Sequence, residues 1–250
     1  LQNNGTQPGC AEVYSASDCS SDLCPWLTFT PETIEGLEDS WRSSIWEDLT
    51  CIGFLGTGGC GLEQPLESSY VALVEQTSTG GTNEGFIRED ALLVIVYLTD
   101  EDDCSIASSE LFDPSRTEFG ALTVRCILHE DLLHPVSRYH DAFIELKSGD
   151  ESRVIVGAIA GLPNDGTWNH GDPLEELRAI PRIHPDHPSH VIPVCDQMHG
   201  VTHLSVRIAE LVSSFGSKGY IGSICEGDWT DSFDQFLSLI RRQITRCDSE

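Results

Sequence analysis

Hydrophobic patterns of two kinds alternate along the chain from residue 62 onward. Apolar residues three and four positions apart predict helices over 62–76, 135–149, 204–215 and 231–245. Short continuous apolar runs predict strands over 91–98, 153–160 and 220–225. Strands that alternate with helices are joined by crossovers, which give a parallel sheet. The predicted fold class is therefore α/β, a doubly wound, mostly parallel sheet with helices on both faces.

The strand over 91–98 is the element around which this fold is organised. Eight apolar residues from Ala91 to Leu98 are typical of a strand buried on both faces. The acidic segment T-D-E-D-D-C-S follows, from Thr99 to Ser105. In open α/β sheets ligands bind at the carboxyl ends of strands, so these carboxylates favour a site for Mg or Ca. The open alternative is a solvated acidic turn.

The pattern divides the chain into two parts. Residues 1–35 are rich in Asn, Gly, Ser, Pro and Cys without sustained periodicity, which indicates a loop-rich segment. Residues 36–250 form the predicted α/β domain, which begins with a further helix over 38–54. A Pro- and His-rich insertion at about 161–202 is predicted to be a long loop.

The charge of the chain excludes some classes of partner. Its 14 basic and 41 acidic residues give a net charge of −27. Such a surface repels nucleic acids and anionic membranes, since phosphate binding depends on Lys and Arg. A strongly negative surface is compatible with cation binding, a salt-rich habitat or simple solubility, and composition alone does not distinguish these three explanations. No apolar stretch reaches the roughly 18 residues that a membrane span needs.

The 10 cysteines indicate an oxidising compartment, outside the cell, on its surface or in a periplasm. Zinc sites of the usual kind need C-x-x-C pairs, which the sequence lacks. We therefore expect a disulfide-stapled protein. The predicted pairs are Cys51–Cys60, Cys104–Cys126 and Cys195–Cys225.

Motifs of catalysis are missing from the sequence. It contains no G-x-S-x-G elbow, P-loop or G-x-G-x-x-G, so we expect no enzyme. His184, His187 and His190 recur at every third position between prolines. A polyproline II conformation would separate them by about 9 Å per step, so they are interpreted as loop histidines unless the backbone folds back. Adventitious zinc binding is an open alternative.

Several segments together resemble von Willebrand factor A (vWA) domains. Thr99-Asp100 at the end of a buried strand resembles the family's metal-binding strand end, and Gly56-Thr57-Gly58 resembles the loop that supplies its metal-binding Thr. G-C-G-L-E-Q-P-L-E (59–67), G-F-I-R-E-D-A-L-L-V-I-V-Y-L-T-D-E-D-D-C-S (85–105) and S-I-C-E-G-D-W (223–229) are similar to secreted, cysteine-rich bacterial proteins that carry such a domain.

The resemblance implies a metal-ion-dependent adhesion site at the carboxyl edge of the sheet. Asp100 and Thr57 would hold a Mg or Ca ion, and Asp103 and Glu101 would be additional or water-mediated partners. The family's D-x-S-x-S motif is absent, and D-C-S-S-D (18–22) has the wrong order. We expect the first strands to lie upstream of Leu1 or on another chain, or the metal site to be incomplete.

The resulting functional prediction is an extracellular binding or adhesion module with a divalent-cation site. Its partners would be a protein ligand, a subunit of a surface assembly or an N-terminal portion of the same protein. The alternative is a structural, disulfide-stabilised component of a surface assembly with a degenerate metal site. A secreted metal-dependent hydrolase is a third hypothesis, which rests only on the acidic and His-rich loops.

Overall fold

A computed structural model of the chain describes residues 61–197 and 200–247, within the unit Gly61–Glu250. The α-helices are α1 (Pro65–Tyr70), which continues as a π-helix (Val71–Glu75), α2 (Arg125–Leu128), α3 (Ser137–Glu145), α4 (Leu174–Arg178), α5 (Val206–Ser214) and α6 (Thr230–Cys247). The strands are β1 (Leu93–Leu98), β2 (Val154–Ala160), β3 (Ile183–His184), β4 (His187–Val191), β5 (Pro193–Gln197), β6 (Gly200–His203) and β7 (Gly219–Ser223). The segment 1–35, the helix predicted over 38–54, the Cys51–Cys60 pair and Thr57 lie outside the described residues.

A three-stranded parallel sheet in the order β1-β2-β7 forms the centre of this unit. Leu93 pairs with Val154 at one end of the β1–β2 ladder and Leu98 with Ile159 at the other. All seven residues of β2 are buried, as the continuous apolar run predicted. The mixed α/β class, with helices between parallel strands, is confirmed.

The two faces of the sheet contact different helices. On one face, Tyr139 and Phe143 of α3 belong to the same buried cluster as Ile95 and Val156, together with residues of α5. On the other face, Phe236 of α6 packs with Ile155. A Cβ added to Gly157 would lie 2.4 Å from the Phe236 ring, so glycine at this strand position lets α6 pack closely.

Strand β1 is not buried on both faces, and that expectation was wrong. Leu93, Ile95 and Tyr97 point into the core, while Val96 and Leu98 are 43% and 62% exposed. Among the described residues, β1 lies at the end of the strand order, and its outward-facing side chains are exposed at the carboxyl half. An apolar run predicts a strand but does not reveal how many layers cover it, because the coverage comes from distant segments.

The region 161–202 is more ordered than the predicted loop. It contains α4 and two antiparallel hairpins, β3–β4 and β5–β6. The Trp168 side chain is buried, and its indole Nε1–H donates to the carbonyl of Pro173 at 3.1 Å. Pro, His and Gly obscure the alternation in these short strands, which is why the sequence pattern does not predict them.

Two of the predicted disulfides are confirmed. Cys104–Cys126 joins the acidic turn to α2, and Cys195–Cys225 joins β5 to the segment after β7. Within the described part of the chain, no helix combines the length and apolar character that a membrane crossing needs.

Candidate functional site

The acidic turn after β1 is anchored by backbone contacts on both sides. The Thr99 N–H donates to the Ile159 carbonyl at 3.2 Å, which continues the ladder to β2. The Thr99 hydroxyl donates to the carbonyl of Glu101 at 2.9 Å and closes the turn. The carbonyl of Asp100 accepts from the N–H of His203 at 2.8 Å. The turn is therefore fixed at the carboxyl edge of the sheet, where α/β folds bind their ligands.

Asp103 points inward and joins three segments of the chain. Its side chain is fully buried, and Oδ1 accepts from the Leu66 N–H at 3.0 Å and the Ser105 hydroxyl at 2.6 Å. Oδ2 accepts from the Ser105 N–H and from Arg207 Nε, both at 3.1 Å. Four donors satisfy this carboxylate, which gives Asp103 a structural role between α1, the turn and α5. Its role as an additional metal partner stays a prediction.

Asp102 lies beside the Asp103–Arg207 ion pair, and its side chain is largely buried. Its Oδ1 accepts from the N–H groups of Arg207 and Asp103, both at 2.9 Å, and Oδ2 lies 3.7 Å from Arg182 Nη1. Burial raises the pKa of Asp102 to about 6, although both N–H donors and Arg182 act in the opposite direction. This carboxyl group therefore changes its charge near neutral pH.

Asp100 and Glu101 face outward. The Asp100 side chain is exposed, and nothing in residues 61–197 and 200–247 forms a hydrogen bond or ion pair with its carboxylate. Burial raises the pKa of Glu101, and the negative charges of Asp100 and Glu63 raise it further. Asp100 and Glu63 thus both repel the Glu101 carboxylate, a repulsion that a bound cation would relieve.

His203 lies next to these carboxylates. Its Nδ1 is 3.9 Å from Glu101 Oε1, and burial lowers its pKa, against the opposing effect of Asp100. The lowered pKa favours the neutral imidazole, the form that accepts a proton or coordinates a metal.

A cavity of about 280 Å³ opens beside the turn. Glu63, Glu101 and Asp102 line it on its polar side, while the Cys104–Cys126 disulfide and Leu204 supply apolar surface. The cavity is large enough for a side chain of a partner or a few waters.

The site was only partly predictable. Sequence reasoning placed Asp100, Glu101 and Asp103 at one edge, and the structure brings all three there. The prediction from the sequence did not include His203, Arg182 and Arg207, which approach from the region after β2. No spacing could have found them, because their proximity arises from long-range packing.

The donor atoms fit a hard cation in part. Asp100 and Glu101 offer carboxylate oxygens of the type that Mg²⁺ and Ca²⁺ prefer, whereas those of Asp103 are already used. In the described ranges, no three His, Cys, Asp or Glu side chains are arranged to hold a metal. An ion here therefore requires ligands from water, from a partner or from other residues.

Comparison of the chain with protein-family models, curated proteins and solved structures gives no match.

Proposed function

We propose that this protein is an extracellular, non-enzymatic binding or adhesion module of the vWA type, with a Mg²⁺ or Ca²⁺ ion at the carboxyl edge of a doubly wound sheet. The observation that carries the proposal is the electrostatic repulsion of Glu101 by Asp100, on the same hydrogen-bonded turn, and by Glu63, which precedes α1. Carboxylate oxygens are hard donors, and at the end of a parallel strand they are well placed to bind a divalent cation. Because the chain contains few lysines, we expect such a cation, and not a basic side chain, to neutralise them.

Each residue has a distinct part in the proposed site. Asp100 is the direct ligand, and Glu101 binds the ion directly or through water. Thr57, the hydroxyl ligand that the vWA resemblance implies, lies outside the described residues. Asp103 holds the turn in place through Arg207 and the N–H of Leu66. The bound ion supplies a Lewis-acidic position that a carboxylate of a partner protein completes.

The disulfides support the proposed compartment. Cys104–Cys126 and Cys195–Cys225 persist in oxidising surroundings, which supports an extracellular, cell-surface or periplasmic location. The net charge of −27 argues for a protein partner over nucleic acid.

Thermal unfolding in Ca²⁺, Mg²⁺ or EDTA tests the metal site. Extracellular modules bind Ca²⁺ with dissociation constants of about 0.1–1 mM. An ion concentration tenfold above the dissociation constant then adds about 1.4 kcal/mol to the free energy of unfolding, or roughly 3–6 °C in Tm. Asp100→Ala should abolish the shift, whereas Asp234→Ala, an exposed substitution on α6, should preserve it. Equal Tm values in Ca²⁺, Mg²⁺ and EDTA, or a shift that persists in Asp100→Ala, would refute the site.

A second candidate function is a structural component of a surface assembly. It is favoured by the outward face of β1, where Val96 and Leu98 are 43% and 62% exposed at the end of the sheet. Exposed apolar side chains on a sheet face mark a surface that another chain covers. This function predicts a stable complex that is indifferent to EDTA and is lost in Leu98→Lys. A metal-dependent complex that tolerates Leu98→Lys would exclude it.

A further inference from the structure

Three histidines of the β3–β4 hairpin lie together, in contrast to the spacing expected from their prolines. The Cα atom of His184 pairs with that of His187 across the two strands. Their ring centroids are 4.9 Å apart, and those of His187 and His190 are 5.8 Å apart. A polyproline II segment would separate successive rings by about 9 Å, and that expectation was wrong because the backbone folds back at Asp186.

The hairpin that carries these rings is held firmly at its base. The Ile192 N–H donates to the Arg182 carbonyl at 2.8 Å, and the Arg182 guanidinium pairs with Glu130. The Thr123 hydroxyl donates to the Ser189 carbonyl at 2.7 Å. The backbone therefore positions the histidines in advance, and only side-chain rotation remains to be fixed on binding.

We propose that His184, His187 and His190 form a binding site for a borderline divalent ion, Zn²⁺ or Cu²⁺. Imidazole nitrogen is a preferred ligand of both metals, and two or three rings within about 6 Å form a chelate. The site is separate from the acidic edge in its chemistry, since the carboxylates there favour Mg²⁺ or Ca²⁺.

Ion binding requires a rotation of the rings and a change of tautomer. In their present rotamers the three rings do not converge on one point. The N–H of Asp186 donates to Nδ1 of His184 at 3.2 Å, which places the ring proton on Nε2. Coordination through Nε2 moves this proton to Nδ1 and breaks the contact. The contact is long and exposed, so its loss costs little.

The hairpin also connects this site to the cavity beside the acidic turn. Ser189, His190 and Val191 form part of the cavity wall. An ion that fixes the His190 ring consequently fixes one side of that cavity.

Calorimetric titration of the full chain with Zn²⁺, in excess Mg²⁺ to occupy the carboxylates, tests the proposal. One Zn²⁺ should bind, and His187→Ala should weaken it about 100-fold, because the chelate loses its central ligand. His190→Ala should weaken binding as well. His170→Ala is the matched control, since its ring packs against Tyr220 elsewhere in the fold, and it should bind like the wild type.

The Asp186 amide gives an independent readout. Its NMR resonance should shift on Zn²⁺ binding, as the contact with His184 is lost, and should stay unchanged in His187→Ala. Unaltered affinity in His187→Ala or in His190→Ala overturns the three-histidine site. An equal loss of affinity in His170→Ala also overturns it, since that result means adventitious binding.

Discussion

Replacement of Asp102 by asparagine isolates the free energy that burial of one carboxylate costs. The side-chain amide oxygen introduced by Asp102→Asn can still accept from the N–H groups of Arg207 and Asp103, which both donate to Oδ1 of the aspartate. Only the charge beside Arg182 is lost. The pKa of the carboxyl group is about 6 in the folded protein against an ordinary value of 3.8.

The sign of the effect follows from proton linkage. Between these two pKa values the native state binds more protons than the unfolded state, so stability falls as the pH rises. As the pH rises from pH 3.8 to pH 6 or above, the free energy of unfolding of the wild type should therefore fall by about 3 kcal/mol relative to that of Asp102→Asn. Well below pH 3.8 the carboxyl group is protonated in both states and no further change is expected.

Urea unfolding of both proteins with intact disulfides, at several pH values from about 3.5 to about 7.5, measures this difference. Subtracting the two curves cancels the other titrating groups, provided that unfolding is two-state. A difference that does not change with pH, or one that favours the wild type as the pH rises, would refute the reasoning. It would show that Arg182 and the two N–H donors outweigh burial.

Two further substitutions test the packing around the site. Asp103→Ala should destabilise the fold by about 3–5 kcal/mol in denaturant unfolding, because it removes the carboxylate that pairs with the buried Arg207. Asp100→Ala removes an exposed side chain and should change the free energy of unfolding in EDTA by less than about 0.5 kcal/mol. If Asp100→Ala and Asp103→Ala destabilised the protein equally, the outward orientation of Asp100 and the inward orientation of Asp103 would be wrong. Gly157→Ala should cost about 1–3 kcal/mol, since its Cβ meets Phe236, and Phe236→Leu in the same chain should recover part of the loss.

Local pattern was sufficient for the regular elements. Apolar runs and helical spacing located β2, β7, α3, α5 and α6 within a few residues, because burial of one face imposes that periodicity. The predicted pairs Cys104–Cys126 and Cys195–Cys225 were also confirmed. Local pattern did not detect the hairpins of 161–202, where strands of two to five residues are too short to alternate clearly.

The roles of the acidic residues could not be predicted from the sequence. D-E-D-D offers four similar carboxyl groups, yet Asp103 is buried with four donors and Asp100 is exposed. The difference depends on Arg207, which lies 104 positions further along the chain. The local sequence of the acidic segment does not identify such a distant partner.

Periodicity and crossover geometry were enough to predict the α/β class, the parallel sheet and the acidic carboxyl edge. The three-dimensional fold was needed to establish which carboxylate is buried, that Val96 and Leu98 are exposed, and that His184 lies opposite His187. Each of these depends on contacts between distant segments. Their free energy comes from desolvation and packing in three dimensions, which neighbouring residues along the chain do not specify.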